Sequence, residues 1–352
     1  MQSSAQPPAA AASPSRPTQG SPGRGFTRKI MASALLGALI FAGLALYSDL
    51  PKLQNAASHF AGSAFLWGLL LAAANYAIRI MRWQDYLRRL QVRVPLVESA
   101  LIFLSGFVMS VTPGKVGEVF KSLLLHEARG VAIAKTAPIV IAERLTDLVA
   151  LVLLTALGCL TFPSGPAIAA AGAAVVGFIV LLVSHRGLAE WFLALSARLP
   201  FIGKLAPRLR EAYATLHELT RPGPMLMGTC LAFIAWGMEC VSMYLIARGF
   251  DGVVLDLPAA TFAYSASTII GALAMMPGGL GVTEIGMTGL LQSLGGSGMT
   301  PAVASATTML VRVATLWFAV GIGALALGLH RARYAPRRAA SEGPEASPGD
   351  LP

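Results

Sequence analysis

The sequence predicts an all-α polytopic membrane protein with two inverted-topology repeats, each containing three spans and one broken (re-entrant) helical hairpin. The first observation is composition: 55% of the 352 residues are hydrophobic and only 12% are charged, whereas about a quarter of the residues of a soluble domain are charged. The second is a series of apolar runs, each near the ~20 residues that cross a bilayer. The third is a Pro-Gly motif that interrupts hydrophobic sequence twice, as TPGKVGE at 112–118 and as MPGGLGVTE at 276–284.

Six uninterrupted apolar runs are candidate membrane spans, and the basic residues beside them predict their orientation. Arg24, Arg28 and Lys29 precede the first run, and the strongly basic stretch 79–93 follows the second. Because cytoplasmic loops are enriched in Lys and Arg, we expect a multi-pass protein of the inner (plasma) membrane with both termini in the cytoplasm. The six runs are 30–47, 61–78, 138–160, 166–184, 224–246 and 301–329.

We expect one transmembrane domain over residues 26–329, between two disordered cytoplasmic tails. The tails, 1–25 and 330–352, are rich in Pro, Ser, Ala and Gly, and segments of this kind bury too little apolar surface to fold. The basic stretch 185–223 carries an apolar stripe and is predicted to be an amphipathic insertion on the cytoplasmic face of the membrane.

The two repeats are inferred from a constant spacing. Both broken segments contain Pro-Gly-x-x-Gly followed closely by Glu, and Pro277 follows Pro113 by 277 − 113 = 164 residues. Adding 164 to the bounds of the second apolar run gives a range that lies on the fifth, and adding 164 to the bounds of the third gives a range that lies on the sixth. The charge pattern makes the two hairpins enter the membrane from opposite sides. Repeat one is therefore predicted over about 30–160 and an inverted repeat two over about 166–329.

Broken helices at membrane depth indicate a candidate substrate site. Such backbone is tolerated only where it is buried in protein or lines a wet cavity, and inverted-repeat transporters bind substrates at broken helices near the midplane. Helix N-termini and freed backbone N–H groups attract anions. The candidate substrate-binding residues lie in the two hairpins or are charged residues of the spans that follow them: Pro113, Gly114, Lys115, Gly117, Glu118, Lys121, Glu143, Arg144, Asp147, Pro277, Gly278, Gly279, Gly281, Glu284 and Arg312.

The two hairpin glutamates, Glu118 and Glu284, occupy equivalent places and have two interpretations. Intramembrane carboxylates are costly and usually functional, which favours a headgroup-binding or proton-coupling site. The alternative is a local cap or ion pair that holds each hairpin. Lys121 is expected to pair with Glu118 at i,i+3, or Lys115 to contact a lipid phosphate.

Glu143, Arg144 and Asp147 lie in the first turns of the third apolar run. Glu143 and Asp147 are spaced i,i+4 and share one helix face, whereas Arg144 lies about 100° round the helix from Glu143. Arginine suits bidentate phosphate recognition, so Arg144 is a candidate ligand for a phospholipid headgroup. The alternative is a buried ion-pair network with Arg79, Arg82 or a hairpin glutamate.

Arg312 lies in the middle of the last apolar run, where an unpaired charge is costly. We expect Arg312 to pair with Glu284 or Glu239, or to face a cavity.

Polar residues also end the second apolar run. Asn75 and Tyr76 are expected to hydrogen-bond between helices. Arg79, Arg82 and Trp83 are predicted to form a cytoplasmic interfacial anchor, with first contact to anionic headgroups as the alternative.

Several functional classes find no support in the sequence. The five histidines are scattered and none is spaced i,i+4 with another ligand type, so no metal site is expected. The basic residues flank apolar runs and form no separate module for nucleic acid. No P-loop motif GxxxxGK[ST] occurs, so neither direct ATP use nor any other cofactor is expected.

Four motifs together resemble the lysylphosphatidylglycerol synthase transmembrane-region family of flippase-like proteins. They are RIMRW at 79–83, PGKVGEVFK at 113–121, ERLTD at 143–147 and PGGLGVTE at 277–284. The resemblance covers about 30–329 and is to a stand-alone member, without the synthase domain of two-domain relatives. It implies movement of a phospholipid or lipid-linked headgroup between leaflets.

Two other functions are open at this stage. A membrane-embedded lipid-phosphate enzyme would draw its nucleophile or base from Ser110, Thr112, Thr283 and the hairpin glutamates. A non-transporting accessory scaffold would instead recruit lipid-biosynthesis enzymes on the cytoplasmic face through the insertion 185–223.

Overall fold

The computed structural model describes residues 23–111, 119–160, 162, 165–184 and 206–341. Over these residues the regular structure is helical, with one isolated β-bridge between Phe60 and Phe250, so the all-α prediction is confirmed. In chain order the helices are α1 Gly23–Tyr47, α2 Leu50–Ser58, α3 Gly62–Arg89, α4 Leu96–Ser105, α5 Phe120–Arg129, α6 Ile133–Cys159, α7 Gly165–Ser184, α8 Ala206–Leu219, α9 Pro222–Arg248, α10 Leu257–Leu273, α11 Val282–Leu294, α12 Pro301–Arg312 and α13 Phe318–Ser341.

Within the described residues, three helical stretches are long and apolar enough to cross a membrane. They are α3, α9 and the stretch Pro301–Tyr334, in which a π-helical segment joins α12 to α13. Residues 35–47 of α1 and all of α2 form a pair bent by 95°, which counts as a fourth span if the pair crosses as one. Helix α6 is as long as α9, but charged residues in its first half make it less apolar than these stretches.

Some predicted boundaries differ in the structure. Helix α13 continues to Ser341, past the predicted end of the domain at 329. Part of the predicted insertion forms α8, which packs along α6 with Leu219 fully buried. The remainder of the insertion, 185–205, lies outside the described residues, as do most of the predicted N-terminal tail and the end of the C-terminal tail.

The centre of the fold is an antiparallel pair formed by α3 and α9. Small residues allow close approach: the Gly68 backbone lies against Ser242 and Ile246, and the Gly228 backbone against the Tyr86 hydroxyl. Residue numbers rise along one helix as they fall along the other, and the contacts extend from Gly68 beside Ile246 to Tyr86 beside Gly228. Close packing through small residues is typical of helix pairs in membranes.

Two pairs of short helices, α4 with α5 and α10 with α11, lie near the α3–α9 pair. Helices α4 and α5 flank the loop 112–118, which lies outside the described residues, and helices α10 and α11 flank the PGG turn Pro277–Gly279. Helix α4 packs on α13, and α10 packs on α6. A Cβ added at Gly278 would lie 3.6 Å from the backbone oxygen of Ser110, so the end of α4's 3₁₀ extension, Gly106–Met109, adjoins the PGG turn.

Gly323 on α13 is where the helix comes closest to the α4 segment. A Cβ there would lie 2.7 Å from the Val108 backbone nitrogen and 3.0 Å from the Leu104 carbonyl oxygen. Because backbone cannot move aside as a side chain can, we expect Gly323→Ala to lower stability by about 1–3 kcal/mol. Gly321→Ala is the matched control, since nothing lies within 4 Å of its Cβ position and alanine favours helix. Thermal unfolding of the two purified variants in detergent measures the difference. Equal unfolding midpoints would contradict the close backbone contact at Gly323.

Candidate functional site

A cavity of about 250 Å³ lies between the α3–α9 pair, α6, α10 and the PGG turn. Its walls are apolar and aromatic, with Tyr76, Phe107, Trp236 and Tyr264 among them. Five charged residues also line it: Arg79, Arg144, Asp147, Glu239 and Arg312. Because Tyr76 and Glu239 come from the middle of α3 and α9, the cavity lies at mid-length of the two spanning helices.

The PGG turn is held on one side of the cavity by a buried ion pair. Arg312 Nε donates to Glu284 Oε1 at 2.5 Å, and Arg312 Nη2 donates to the Gly278 carbonyl at 2.7 Å. The second Glu284 oxygen accepts from the Gly281 backbone N–H at 2.6 Å and so caps α11. The predicted Arg312–Glu284 pair is therefore present. Gly278, Gly279 and Gly281 all have positive φ (61°, 71° and 88°), which glycine adopts without steric cost.

A second group of charges lies behind the cavity, between α3, α5 and α6. Arg82 Nη1 donates to Asp147 Oδ1 at 2.8 Å, and Lys121 Nζ donates to Glu143 Oε2 at 2.5 Å. The Lys121 ammonium also lies 4.8 Å from the centre of the Trp83 ring. We call Arg82, Lys121, Glu143 and Asp147 the ion-pair cluster. Its four formal charges cancel.

The cluster corrects one sequence-based interpretation. Arg82 is 2% exposed and Trp83 is fully buried, so they are not an interfacial anchor. Their partners come from α5 and α6, which are distant in sequence. Lys121 pairs with Glu143 of the following helix, whereas the alternative partner predicted for it, Glu118, lies outside the described residues.

Two arginines, Arg79 and Arg144, lie between the cluster and the cavity. Arg144 Nη1 lies 3.5 Å from Asp147 Oδ2, and its side chain is 31% exposed. The Arg79 guanidinium stacks over the Trp236 ring, 4.6 Å from its centre. No ion pair within the described part of the chain involves Arg79, and its buried Nε has no hydrogen-bond partner there. Both residues also line a narrow cleft of about 10 Å³ that reaches Lys121 and Glu143.

Glu239 is held where α3, α9 and α10 meet. Asn75 Nδ2 donates to Glu239 Oε1 at 2.8 Å and to the Ala235 carbonyl at 2.8 Å, and the Tyr264 hydroxyl donates to Glu239 Oε2. The predicted interhelical role of Asn75 is thus confirmed. The Tyr76 hydroxyl likewise donates to the Thr315 carbonyl at 3.3 Å.

The structure brings together many, but not all, of the predicted site residues. Arg144, Asp147, Gly278, Gly279 and Arg312 line the central cavity, and Lys121 and Glu143 line the narrow cleft. Pro277, Gly281 and Glu284 form and support the PGG turn beside the cavity. Pro113, Gly114, Lys115, Gly117 and Glu118 lie outside the described residues.

Sequence reasoning missed the contribution of Arg79 to the cavity. The signal was present as a polar series on α3, since Asn75, Arg79 and Arg82 recur at spacings of four and three and therefore share a helix face. A polar stripe in an otherwise apolar span faces protein or a wet cavity. Among the described residues, no group of three or more His, Cys, Asp or Glu side chains is arranged to hold a metal ion.

The fold and the cavity define a helical multi-pass membrane protein with buried charges near the middle of its long apolar helices α3 and α9. The chain belongs to the family described as lysylphosphatidylglycerol synthase TM region, whose profile matches residues 34–323. It is 26% identical over 289 residues to a UPF0104 membrane protein of Pyrococcus horikoshii, covering 73% of this chain and 85% of the relative. A UPF0104 membrane protein of Methanothermobacter thermautotrophicus is 24% identical over 276 residues, covering 73% of this chain and 80% of the relative.

Proposed function

We propose that this protein moves an anionic phospholipid or lipid-linked phosphate headgroup between the leaflets, and that the headgroup binds in the central cavity. The observation that carries the proposal is the presence of Arg79 and Arg144 on an otherwise mostly apolar wall at mid-depth. A guanidinium binds phosphate through two parallel hydrogen bonds. A cavity of about 250 Å³ accommodates a headgroup, while the acyl chains stay in the bilayer.

The charge pattern favours an anion over a cation. Carboxylates already partner Arg82, Lys121 and Arg312 through the ion pairs described above. Arg79 instead stacks on Trp236, which leaves its hydrogen-bond donors available in a place shielded from bulk water. Electrostatic attraction is stronger in such a low-dielectric place than in water. Arg79 is therefore the proposed principal phosphate ligand, with Arg144 beside it.

Two features support the inverted repeats that such a mechanism uses. Adding 164 to the bounds of α4 and α5 gives 260–269 and 284–293, which fall within α10 and α11. Asn75 and Glu239 are also 164 residues apart and hydrogen-bond to each other. Equivalent residues of two repeats contact each other where a pseudo-two-fold axis passes, and alternating access in inverted-repeat transporters is rocking about the site on that axis.

The basic loops indicate how the proposed transporter is oriented in the membrane. The termini and the α4–α5 pair belong to the cytoplasmic side of the inner membrane, and the α10–α11 pair enters from the opposite side. A lipid would then reach the cavity laterally, and rocking of one repeat against the other would open the cavity to the second leaflet.

Reconstitution tests this proposal with a matched pair of arginines on one helix. Vesicles of phosphatidylcholine with a trace of acyl-labelled phosphatidylglycerol are treated with an impermeant quencher, and the label that becomes accessible is followed in time. We expect the protein to accelerate exchange, and Arg79→Gln to slow it about tenfold or more, since hydrogen bonds to charged groups contribute about 1.5–3 kcal/mol. The exposed Arg88 supplies the control, Arg88→Gln, which should retain the wild-type rate. Exchange no faster than in empty vesicles would contradict the proposal.

A further inference from the structure

The formal charges on the cavity wall and on the residues that pair with it do not cancel. Three arginines and two carboxylates line the cavity: Arg79, Arg144, Arg312, Asp147 and Glu239. Arg82 pairs with one of these carboxylates and Glu284 with one of these arginines, while Lys121 and Glu143 pair with each other beside them. Together, these described residues carry five positive and four negative formal charges, which is an excess of one positive charge.

We propose that the cavity selects a lipid phosphodiester with a single negative charge, such as phosphatidylglycerol. This inference rests on the proposed function and narrows its substrate class. An uncompensated charge is costly where water is scarce, and a monoanion brings the formal charge of the occupied cavity to zero. A dianionic headgroup leaves one negative charge in excess, a zwitterionic headgroup leaves one positive charge, and a cationic headgroup leaves two.

The loop 112–118, which lies outside the described residues, does not alter this balance. Its sequence, TPGKVGE, contains one lysine and one glutamate, so the loop as a whole carries no net formal charge. The excess of one positive charge therefore holds for the described cavity residues and the loop taken together.

The excess charge is located at Arg79. Arg82, Lys121 and Arg312 each donate a charged hydrogen bond of 2.5–2.8 Å to a carboxylate, and Arg144 lies 3.5 Å from a carboxylate oxygen. Arg79 has no ion pair within the described part of the chain, and its buried Nε has no hydrogen-bond partner there. A phosphodiester has two non-bridging oxygens that share one charge, which matches the paired donors of one guanidinium.

The aromatic rings nearest the charges give a cationic headgroup little to bind. Ammonium groups of lipids bind over aromatic faces. The Arg79 guanidinium already lies 4.6 Å from the centre of the Trp236 ring, and Lys121 Nζ lies 4.8 Å and 4.7 Å from the centres of the Trp83 and Phe103 rings. A phosphocholine headgroup would therefore bring its ammonium close to the arginines without gaining a face that the protein's own cations cover.

The test compares three acyl-labelled lipids, each as a trace in phosphatidylcholine vesicles with an impermeant quencher. At about pH 8.5, phosphatidylglycerol carries one negative charge, phosphatidylcholine has no net charge and phosphatidic acid carries two, because the second pKa of a phosphate monoester is about 6. We expect wild-type protein to exchange phosphatidylglycerol about tenfold faster, or more, than either other lipid, since charge mismatch is costly at low dielectric.

The outcomes separate this inference from the proposed function. Accelerated exchange at equal rates for the three lipids, or faster exchange of phosphatidylcholine or phosphatidic acid, would overturn the inference and leave lipid movement between leaflets standing. No accelerated exchange of any of the three lipids would overturn both.

Two substitutions at Arg79 separate charge from hydrogen-bond geometry. Arg79→Lys keeps the charge and loses the two-point hydrogen bonding, so we expect slower exchange that still favours phosphatidylglycerol over phosphatidylcholine. Arg79→Gln brings the formal charge of the cavity to zero, so this preference should vanish. The readout is a ratio between two lipids with the same protein, so it does not depend on the amount of folded protein. A wild-type preference in Arg79→Gln protein would overturn the inference.

Glu239→Gln provides a second test that leaves Arg79 in place, because it raises the excess from one to two positive charges. We expect this variant to exchange phosphatidic acid at least as fast as phosphatidylglycerol at about pH 8.5. Glu127→Gln removes an exposed carboxylate and should keep the wild-type order of the three lipids. An active Glu239→Gln protein that also keeps the wild-type order would overturn the inference.

Discussion

Glu284→Gln is expected to lower the free energy of unfolding by about 3–5 kcal/mol, because it leaves the Arg312 guanidinium buried without its counter-charge. The Glu284 side chain is fully buried and that of Arg312 is 9% exposed, so little water can replace the lost partner. Glutamine has nearly the same shape as glutamate, which confines the change to charge. If the amide oxygen of the glutamine still accepts from the Gly281 N–H, its NH₂ group points at the Arg312 guanidinium. Two groups that can only donate hydrogen bonds then face each other.

The same substitution should disturb the cavity, because Arg312 also binds the Gly278 carbonyl and holds the PGG turn in place. Unfolding by sodium dodecyl sulfate in mixed micelles measures the loss. Lys52→Gln is the control, since its pair with Asp49 is exposed to solvent and such pairs contribute less than ~1 kcal/mol. Removing both charges with Glu284→Gln and Arg312→Met should recover most of the loss. A Glu284→Gln protein as stable as Lys52→Gln protein would show that the pair does not stabilise the turn.

Local chemistry explains which parts of this fold could be predicted. The helices follow from apolar runs, and the PGG turn follows from residues that tolerate positive φ at Gly278 and Gly279. The Arg312–Glu284 pair was one of the choices left open, because a buried arginine needs an acid, and Glu239 and Glu284 are the acids within the hydrophobic segments of the second half of the chain. In each case the sequence showed both what the structure needs, a residue that tolerates positive φ or a counter-charge, and the few residues that could supply it.

Long-range packing explains what could not be predicted. Arg82 resembles an interfacial anchor because it lies in the basic stretch 79–93, and its ion pair with Asp147 was only one of the alternatives that the sequence left open. Arg79 gains its place on the cavity wall from Trp236, which belongs to α9. Burial of these arginines depends on how α3 packs against α6 and α9. A pattern of residues along one helix cannot specify that packing.

Asp147→Asn is expected to cost as much as Glu284→Gln, about 3–5 kcal/mol, because it removes the carboxylate that contacts Arg82. The ion-pair cluster changes from neutral to one net positive charge in a place where Arg82 is 2% exposed. Asparagine keeps an acceptor for the Arg82 Nη1 hydrogen bond but not the charge. We expect the midpoint of unfolding in sodium dodecyl sulfate to fall accordingly.

Replacing the partner residue, Arg82, should lower the free energy of unfolding less than replacing Asp147 does. This difference tests the arrangement of the ion-pair cluster. In Arg82→Met protein, Asp147 still has Arg144 within 3.5 Å, and Arg144 can move closer because its side chain is 31% exposed. Asp147 then keeps a counter-charge, whereas Arg82 in Asp147→Asn protein has none in direct contact. The expected order of stability is wild type, then Arg82→Met, then Asp147→Asn. An inverted order would mean that Arg144 does not compensate Asp147.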